Sequence, residues 1–472
     1  MANIDPATVD WSDVQGEILQ PYLHDWSAHV LVSFPDAAAG VGFCAALRPT
    51  LATADHWNAP SDSCRNLGLT YAGLAALGVA DDELVSFPYA FRQAMTGRAA
   101  VLGDTGASAP GSWEAPYGDP ALHAWAMVTG ATATRRDAAV SDIRSLAAAK
   151  GVTVLRVEVC DDLSGPGNRT KDHFGFDDGI GQPAVAGAPG PTYPGQGSPT
   201  PEGPLAPLAL GAFLCGYPNE LGFDPAFPAT ISLRRNGTFM AYRKLEEHVA
   251  PFRDYIEANK AQIGGDGDLL AAKMVGRWRS GAPLALAPDH DDPALGADEQ
   301  RNDDFGFSDD PTGLKVPLCA HIRRTNPRDG LPKDNVIESR LHRIIRRKMP
   351  YGSWLPEGAP DDGRPRGIIF RAYNADLVAQ FEMVQAQWIA SANDAGGLSS
   401  DQDPIAGLTD NTDRGPNRLG STFAIPRPDG VRTLYDLPRF VTLKGGEYFF
   451  LPGLAALDWI VSHAAGGPGA ST

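Results

Sequence analysis

The chain has 472 residues, of which 43 % are apolar, so it can bury a large core and is long enough for two or three domains. Lys and Arg number 40 against 57 Asp and Glu, and the formal net charge of -17 disfavours a nucleic-acid partner because an acidic surface repels phosphate groups. The five cysteines are scattered and form no C-x-x-C pair, which argues against a disulfide framework or a structural zinc site and fits a reducing compartment.

The N-terminal residues, MANIDPATVDWSDVQGEIL, lack the basic start and the apolar stretch of a secretory signal. No apolar run in the sequence approaches the ~20 residues that a helix needs to cross a bilayer. From these features we expect a soluble, cytoplasmic protein without a membrane partner.

Short apolar or alternating runs in the first third of the chain predict β-strands at His29–Phe34, Ala124–Gly130 and Val152–Cys160. Between them, TYAGLAALGV at 70–79 and RRDAAVSDIRSLAAAK at 135–150 carry apolar residues at helical spacing. Strands and helices that alternate in this order predict an antiparallel sheet that helices cover on one face.

The segment 187–203, GAPGPTYPGQGSPTPEG, is rich in Pro, Gly, Ser and Thr and is the best candidate for a domain boundary. Beyond it, the patterns at 237–259 and 367–393 each predict a strand that runs into a helix. The last stretch, FVTLKGGEYFFLPGLAALDWI at 440–460, predicts a hairpin-like pair of strands followed by a final helix. Strand–helix units in both halves suggest a duplicated fold, although no repeat is visible at the level of residues.

None of the ten histidines forms an H-x-x-x-H or H-E-x-x-H pair, which argues against a zinc site of that type. His321 differs from the others by its surroundings, because in VPLCAHIRRTNPRDG it follows an apolar run and precedes Arg323, Arg324 and Arg328. A neutral imidazole near arginines suits a flat, anionic, metal-bearing ligand such as haem, with iron on the imidazole and the propionates on the arginines. The alternative is a helix whose polar face carries the arginines, with His321 as a packing residue.

A second basic cluster lies in LHRIIRRKMPYG at 341–352. Helical spacing would bring Arg343, Arg346 and Arg347 near one another and turn Ile344 and Ile345 elsewhere. An arginine at the edge of an apolar face needs a partner charge, since burial of an unpaired charge costs several kcal/mol. From the residues alone, a solvated helix face is the favoured interpretation of this cluster.

Two adjacent aspartates, Asp177 and Asp178, lie in the glycine-rich string HFGFDDGIGQP. In an extended chain neighbouring side chains point to opposite sides, so we do not expect the two carboxylates to act as a dyad. One can face a pocket while the other fixes the loop, as Asp does in turns. Gly175, Gly179 and Gly181 would let the backbone pass close to a flat ligand.

Three of these segments together resemble one family, the dye-decolorizing peroxidases. Its G-x-x-D-G signature corresponds to GFDDG at 175–179, its proximal histidine segment to AHIRRTNPR at 320–328, and its distal arginine segment to RRKMPYG at 346–352. Weaker similarities occur in DVQGEIL, NLGLTYAGLAALG, VGRWRSGAPL, RGIIF and GGEYFFLP, so the resemblance covers nearly the whole chain in the expected order. The length and the long loops are similar to the larger, fungal-like branch of the family.

The resemblance implies an α+β fold of two ferredoxin-like modules, each an antiparallel β-sheet with packed helices. The N-terminal module would cover 1–190 and end with the G-x-x-D-G motif, and the C-terminal module, at 204–472, would hold most of the haem. The cofactor would be haem b (iron protoporphyrin IX), and the enzyme would reduce hydrogen peroxide through a ferryl intermediate. It would oxidise dyes and phenolic or lignin-like compounds, and some members of this branch also oxidise Mn(II).

The family's catalytic roles fall on three residues. His321 would be the proximal ligand of the haem iron, Asp178 the distal acid–base, and Arg346 the distal arginine that holds the peroxide. A carboxylate accepts a proton only when it is ionised, so a distal aspartate predicts activity weighted to acidic pH.

The resemblance also assigns residues around the haem. Ile368 and Phe370 would line the distal pocket, Gly179 would let its loop lie against the haem face, and Arg323 would bind a propionate. Asp403, in DQDPIAG, would accept a hydrogen bond from the proximal imidazole.

A bulky dye or lignin-like phenol cannot enter a closed haem pocket, so its electrons would travel through surface residues among the 9 Trp and 12 Tyr. Two other functions stay open: a haem-binding or haem-handling protein with little peroxidase turnover, and a structural protein without a cofactor. Asp178 and Arg346 together favour the enzyme, since haem storage needs only His321 and a pocket. A haem absorption band would exclude the structural protein.

Overall fold

The computed structural model describes residues 9–56, 61–161, 163, 171–199, 205–331, 336–391, 401–407 and 422–464. The last four residues of the predicted linker, 200–203, lie outside these ranges. The described strands are β1 (Trp26–Ser33), β2 (Ser63–Leu69), β3 (Ala124–Gly130), β4 (Thr153–Asp161), β5 (Ser198–Pro199), β6 (Leu205–Ala206), β7 (Thr238–Glu247), β8 (Ile345–Tyr351), β9 (Gly367–Asn374), β10 (Phe423–Arg427), β11 (Gly430–Leu434) and β12 (Val441–Leu451).

Eight of these strands form one antiparallel sheet in the order β4-β1-β3-β2-β12-β7-β9-β8. The two halves of the chain contribute four strands each, and they meet where β2 pairs with β12. Numbered within its own half, each set has the order 4-1-3-2 with a helix after its first and third strands, which is the pattern of a ferredoxin-like module. The α+β fold class is confirmed, while the division at 1–190 and 204–472 stays a prediction.

Helices connect the strands and pack against the sheet. They are α1 (Ala37–Leu47), α2 (Tyr71–Ala76), α3 (Asp81–Val85), α4 (Tyr89–Arg92), α5 (Ala94–Leu102), α6 (Ala133–Lys150), α7 (Ile231–Arg234), α8 (Val249–Asn259), α9 (Gly267–Val275), α10 (Pro293–Gly296), α11 (His321–Thr325), α12 (Val336–Leu341) and α13 (Leu454–His463), with π-helical turns at Val378–Glu382 and Val384–Ile389. Among the described residues, no helix is both long and apolar enough to cross a membrane.

The sequence of α6 shows why the helices form where they do. Thr132 caps its start by accepting a hydrogen bond from the backbone N–H three residues on, and Gly151 ends it in a left-handed conformation with φ of 73°. Ala139, Ile143 and Ala147 recur every fourth residue and are buried in the main core on one face of the sheet. The predicted helix at 135–150 and the predicted strands of the first third are therefore confirmed within a few residues.

The sheet separates two cores. Alternate residues such as Val30 and Phe450 face the core that α1, α6 and α13 cover, whereas Leu31 and Phe449 face a second core with the N-terminal segment and residues 208–217. Every residue of β3 is buried, because the strand has neighbours on both sides and cover on both faces.

The helix suggested by the arginine spacing at 341–352 is wrong, because residues 345–351 form β8. Each residue of β8 pairs with one of β9, from Ile345 opposite Tyr373 to Tyr351 opposite Gly367. Neighbouring arginines on a strand face opposite sides of the sheet, so Arg346 and Arg347 are separated rather than clustered.

The hairpin expected at 440–451 is also wrong. Residues 441–451 form one continuous strand, β12, which pairs with β7 along its whole length. Gly445 and Gly446 directly follow a β-bulge, at which the register shifts between Leu443 and Gly445. The final helix is present as α13.

Candidate active site

His321 is the first residue of α11, and its ring is held by a buried carboxylate. Nδ1 of His321 lies 2.6 Å from Oδ2 of Asp403, which is fully buried. The other oxygen of Asp403 accepts backbone hydrogen bonds from Ile405 at 2.8 Å and Ala406 at 3.0 Å, which fix the carboxylate. With Nδ1 donating to Asp403, the lone pair of Nε2 is the one that can bind a metal.

The contact between His321 and Asp403 shifts the pKa values of both side chains. Burial lowers the pKa of His321, but the charge and hydrogen bond of Asp403 outweigh it and raise the pKa above its ordinary value. Burial raises the pKa of Asp403, and the same contact together with the backbone donors lowers it overall. Asp403 is therefore an anionic partner that makes the imidazole a stronger electron donor.

Asp178 lies between two cations in the loop that follows Lys171. Its Oδ1 accepts a hydrogen bond from the Gly179 N–H at 2.6 Å and lies 3.6 Å from Nη2 of Arg346. Its Oδ2 lies 3.9 Å from Nζ of Lys348. Burial raises the pKa of Asp178, but Lys348 and then Arg346 lower it below its ordinary value, so the group is a carboxylate at neutral pH.

Asp177 faces away from this carboxylate, as the extended geometry predicts. Its Oδ1 lies 3.1 Å from Nζ of Lys171, and its N–H donates to the carbonyl of Arg279 at 3.2 Å. The guanidinium of Arg279 donates to the carbonyl of Phe174, so it ties the loop to the segment before α10. Asp177 thus stabilises the loop that presents Asp178.

Gly179 directly follows Asp178 and has a φ of +92°, a conformation that favours glycine. A Cβ built there would have no atom within 4 Å among the described residues, so the glycine borders open space. His173, at the start of the same string, is buried with Nε2 2.9 Å from the carbonyl of Tyr351, and it serves the fold.

Strand β8 carries Arg346 and Lys348 on the same face of the sheet. Lys348 pairs across the sheet with Phe370, and Pro350 pairs with Ile368. Residues opposite each other on paired strands share a face, so Ile368 and Phe370 form an apolar wall beside the two cations. Both side chains are half-buried.

Arg346 is anchored at two atoms. Its backbone N–H donates to Oε1 of Gln182 at 3.0 Å, and its Nη2 donates to the carbonyl of Ile180 at 2.7 Å. Nη1 is buried and has no hydrogen-bond partner in the part of the chain that the structure describes. This free donor beside Asp178 is where a polar ligand atom would bind.

The proximal and distal groups lie close enough to influence one another's charge, from which we infer that they line one cavity. Arg346 lowers the pKa of His321, whereas Asp178 raises it. His321 in turn lowers the pKa of Asp178. The side chains of the three residues are about a third exposed, at 33 %, 31 % and 33 % for His321, Asp178 and Arg346. Burial is nevertheless the largest influence on the pKa values of His321 and Asp178, which is the combination expected for groups that line an internal cavity.

A group of buried arginines lies near this cavity, and only Arg328 among them was considered for the propionates from the sequence. Arg277 and Arg328 both contact Oδ1 of Asp303, at 2.8 and 2.5 Å, and Arg343 donates to Oγ of Ser198 at 3.0 Å. Two guanidiniums therefore share one carboxylate, with a third close by. Their sequence signals were present, since Arg277 lies in VGRWRSGAPL and the other two in the basic segments.

The guanidiniums of Arg277, Arg328 and Arg343 carry more positive charge than the carboxylate of Asp303 balances. Burial, together with repulsion from Arg328 and Arg346, lowers the pKa of both Arg277 and Arg343 to about 10. Because Arg346 contributes to both shifts, the group lies near the distal side of the cavity. An anionic ligand would relieve this repulsion.

The structure gives no support for a propionate contact of Arg323. Its guanidinium is buried and donates to the carbonyls of Val316 and Asp310, both at 2.8 Å, and it lies 4.7 Å from the ring centre of Phe307. Nη1 also lies 3.3 Å from the Asp310 carboxylate. These contacts already use its donors, because α11 turns the side chain toward the 307–316 segment.

The residues present fit an iron porphyrin. His321 would supply a ring nitrogen with a free lone pair, Arg343 and the arginines beside it would supply positive charge for the acid groups, and Gly179 leaves space for a flat ligand. Arg346 and Asp178 then stand where a small polar molecule could be bound and exchange a proton.

Comparisons with known proteins identify the family that this chain resembles. The sequence model described as "Dyp-type peroxidase, C-terminal" matches residues 273–407. The chain is 32 % identical over 411 residues to Peroxidase 2 of Mycetinis scorodonius, covering 83 % of this chain and 75 % of that protein. It is 31 % identical over 431 residues to a dye-decolorizing peroxidase of Mycena epipterygia, covering 84 % of this chain and 76 % of the relative.

Solved structures show the same likeness over nearly the whole length. An ancestral D-type dye-decolorizing peroxidase has a TM-score of 0.82 at 28 % identity, covering 97 % of this chain and 100 % of that one. A dye-decolorizing peroxidase in complex with 2,6-dimethoxyphenol has a TM-score of 0.80 at 28 % identity, covering 96 % and 100 %. The chain therefore belongs to the dye-decolorizing peroxidase family of haem peroxidases.

Proposed function

We propose that this chain binds haem b through His321, reduces hydrogen peroxide, and oxidises dyes and phenolic or lignin-like compounds. The observation that carries the proposal is the ion pair between Asp178 and Arg346, which lies close enough to His321 for both charges to influence the protonation of the imidazole. Haem binding alone would need an imidazole and a pocket, whereas peroxide reduction also needs a base and a fixed cation.

On the proximal side, Nε2 of His321 would bind iron while Nδ1 keeps its proton on the Asp403 side. When bound, haem supplies the electrons that cleave the peroxide O–O bond and then takes electrons back from the reductant. An acid group of the porphyrin would be held by Arg343, which belongs to the group with excess positive charge described above.

On the distal side, the ionised carboxylate of Asp178 would accept a proton from one peroxide oxygen and return it to the departing oxygen. The free Nη1 of Arg346 would donate a hydrogen bond to the peroxide and stabilise negative charge as it develops. Ile368 and Phe370 would exclude bulk water from this side and so strengthen both interactions.

The reductant is supported at the level of its class. The relatives' names refer to dyes, and the bound phenol in the structure cited above supports an aromatic reductant. In the described ranges, no group of three or more His, Cys, Asp or Glu side chains could hold a metal ion, so Mn(II) oxidation has no located site there. The cytoplasmic location stays a prediction.

An absorption spectrum before and after addition of hydrogen peroxide tests this proposal. We expect a haem band in the purified or haem-supplemented protein, a rapid spectral change with peroxide, and return to the starting spectrum when a phenol is added. A haem band without peroxide turnover would favour the haem-handling function instead. No band after haem supplementation would contradict both. His321→Ala should lose the haem or change its spin state.

A further inference from the structure

Asp178 has a second cationic partner that the family comparison does not assign. Lys348 lies two residues after Arg346 on β8, so both side chains leave the same face of the strand. The two cations contact different oxygens of Asp178: Arg346 approaches Oδ1 at 3.6 Å and Lys348 approaches Oδ2 at 3.9 Å. The Lys348 side chain is 13 % exposed, so its ammonium is much less screened by solvent than a surface charge.

Two further buried carboxyls act on the same ammonium. Oε2 of Glu247, the last residue of β7, accepts a hydrogen bond from the His173 N–H at 3.2 Å. Oδ1 of Asp172 accepts one from the Phe176 N–H at 2.9 Å. Burial raises the pKa of Asp172 and of Glu247, and attraction to Lys348 opposes that rise in both groups.

Asp172 and Asp178 also disfavour charge on neighbouring carboxyls. Asp178 raises the pKa of Asp172, and Asp172 and Asp178 raise that of Glu247. One ammonium thus faces three acid groups, with Arg346 as additional support for Asp178 alone. Asp172 and Glu247 therefore bind a proton more readily than an ordinary carboxyl, whereas Asp178 gives one up more readily.

We propose that Lys348 is a positioning residue for the distal acid–base: it holds Asp178 as a carboxylate, fixes its Oδ2, and sets the lower pH limit of peroxide reduction together with Arg346. The proposal rests on the peroxidase function for its catalytic consequence only. The contact between Lys348 and Asp178 is independent of that function, and the two can be tested separately.

The test compares Lys348→Gln with the parent, Lys348→Arg and a control, Lys444→Gln, in haem-supplemented protein. Lys444 is a matched control because it contacts Glu246, next to Glu247, at 3.7 Å. Infrared difference spectra across a pH series report protonation of carboxyl groups, and subtraction of the Asp178→Asn spectra isolates the signal of Asp178. The same variants are assayed for the pH dependence of kcat/KM for hydrogen peroxide.

We expect Lys348→Gln to move the titration midpoint of Asp178, and the acid limb of kcat/KM, upward by about one pH unit, since removal of a nearby opposite charge shifts a carboxyl by roughly 1–3 units. Lys348→Arg should restore both, and Lys444→Gln should move neither. Lys348→Met, with a side chain of similar length, replaces Lys348→Gln if that variant does not fold.

An unchanged Asp178 midpoint in the Gln or Met variant would overturn the proposal. A shifted midpoint with an unmoved acid limb in an active enzyme would overturn the catalytic role of Lys348. A protein that gives the expected infrared shift but turns over no peroxide contradicts the proposed function and leaves the contact between Lys348 and Asp178 supported.

Discussion

Asp403 accepts a hydrogen bond from Nδ1 of His321 at 2.6 Å although 82 residues separate the two in the chain. The carboxylate is fully buried and is held from behind by two backbone N–H groups. A partner of this kind orients the imidazole and increases its basicity. Loss of Asp403 should therefore weaken the bond that Nε2 of His321 makes to a metal.

Replacement of Asp403 by Asn should weaken haem binding by about 10- to 100-fold, the usual cost of losing a partner of a metal ligand. The rate of haem transfer to excess apomyoglobin measures this effect. Asp401→Asn is the control, because Asp401 bonds Thr422 and the Ala424 N–H rather than His321. Equal transfer rates for Asp403→Asn and the parent would argue against the proposed proximal pair.

The pH dependence of peroxide reduction should follow the ionisation of Asp178. Because its pKa lies below the ordinary value, the group stays ionised into the acid range, and kcat/KM should be flat from neutral pH downward and fall only where Asp178 becomes protonated. A profile that rises only above neutral pH would contradict this assignment. Asp178→Asn should abolish the acid limb and slow the reaction by about 10²- to 10⁴-fold, as followed by stopped-flow mixing.

Replacement of Arg346 by Leu should slow the reaction with peroxide by about 10²- to 10³-fold, because it removes the free donor and one of the two cations beside Asp178. It should also raise the pH of the acid limb, since Asp178 then keeps only Lys348. Arg346→Lys should leave the acid limb of kcat/KM near its original pH but still slow the reaction with peroxide, because a lysine keeps the charge without the planar donor pair. If Arg346→Leu reacts as fast as the parent, its distal role is refuted.

The buried arginines should divide into ligand-binding and structural ones. Arg343→Gln should accelerate haem loss by roughly tenfold or more, since it removes a charge-assisted contact worth about 1.5–3 kcal/mol. Arg323→Gln should lower the melting temperature with little change in haem loss, because it breaks contacts to Asp310 and Val316. Faster haem loss in Arg323→Gln than in Arg343→Gln would favour the propionate role predicted from the sequence.

The sequence predicted the strand–helix order and the residues that carry short motifs, because Asp178, His321 and Arg346 each lie in a local pattern. The order of elements predicted an antiparallel sheet with helices, and the two-module α+β fold was implied by the family resemblance. Spacing was misleading at 341–352, where arginines three and four residues apart are also compatible with a helix, although this segment pairs with β9 as a strand. The hairpin expected at 440–451 is absent because residues 441–451 pair with β7 as one continuous strand.

What the sequence could not supply depends on contacts between distant segments. Asp403 was assigned to His321 only through the family resemblance, because the two residues meet through tertiary structure. Arg277, Arg328 and Arg343 form a group only after separate segments assemble. Single basic residues are usually solvated, so the sequence named Arg328 only as one of the arginines after His321 and gave no ligand-binding role to Arg277 or Arg343.

Alternation along β8 limits how this part of the molecule can change over evolutionary time. Arg346 and Lys348 face the cavity, while Arg347 turns to the other side, where its Nη2 lies 3.5 Å from the carbonyl of Ile18. Insertion or deletion of one residue would turn every following side chain to the wrong face and exchange a cavity residue for a structural one. We therefore expect natural variation in length on either side of 345–351, and none within it.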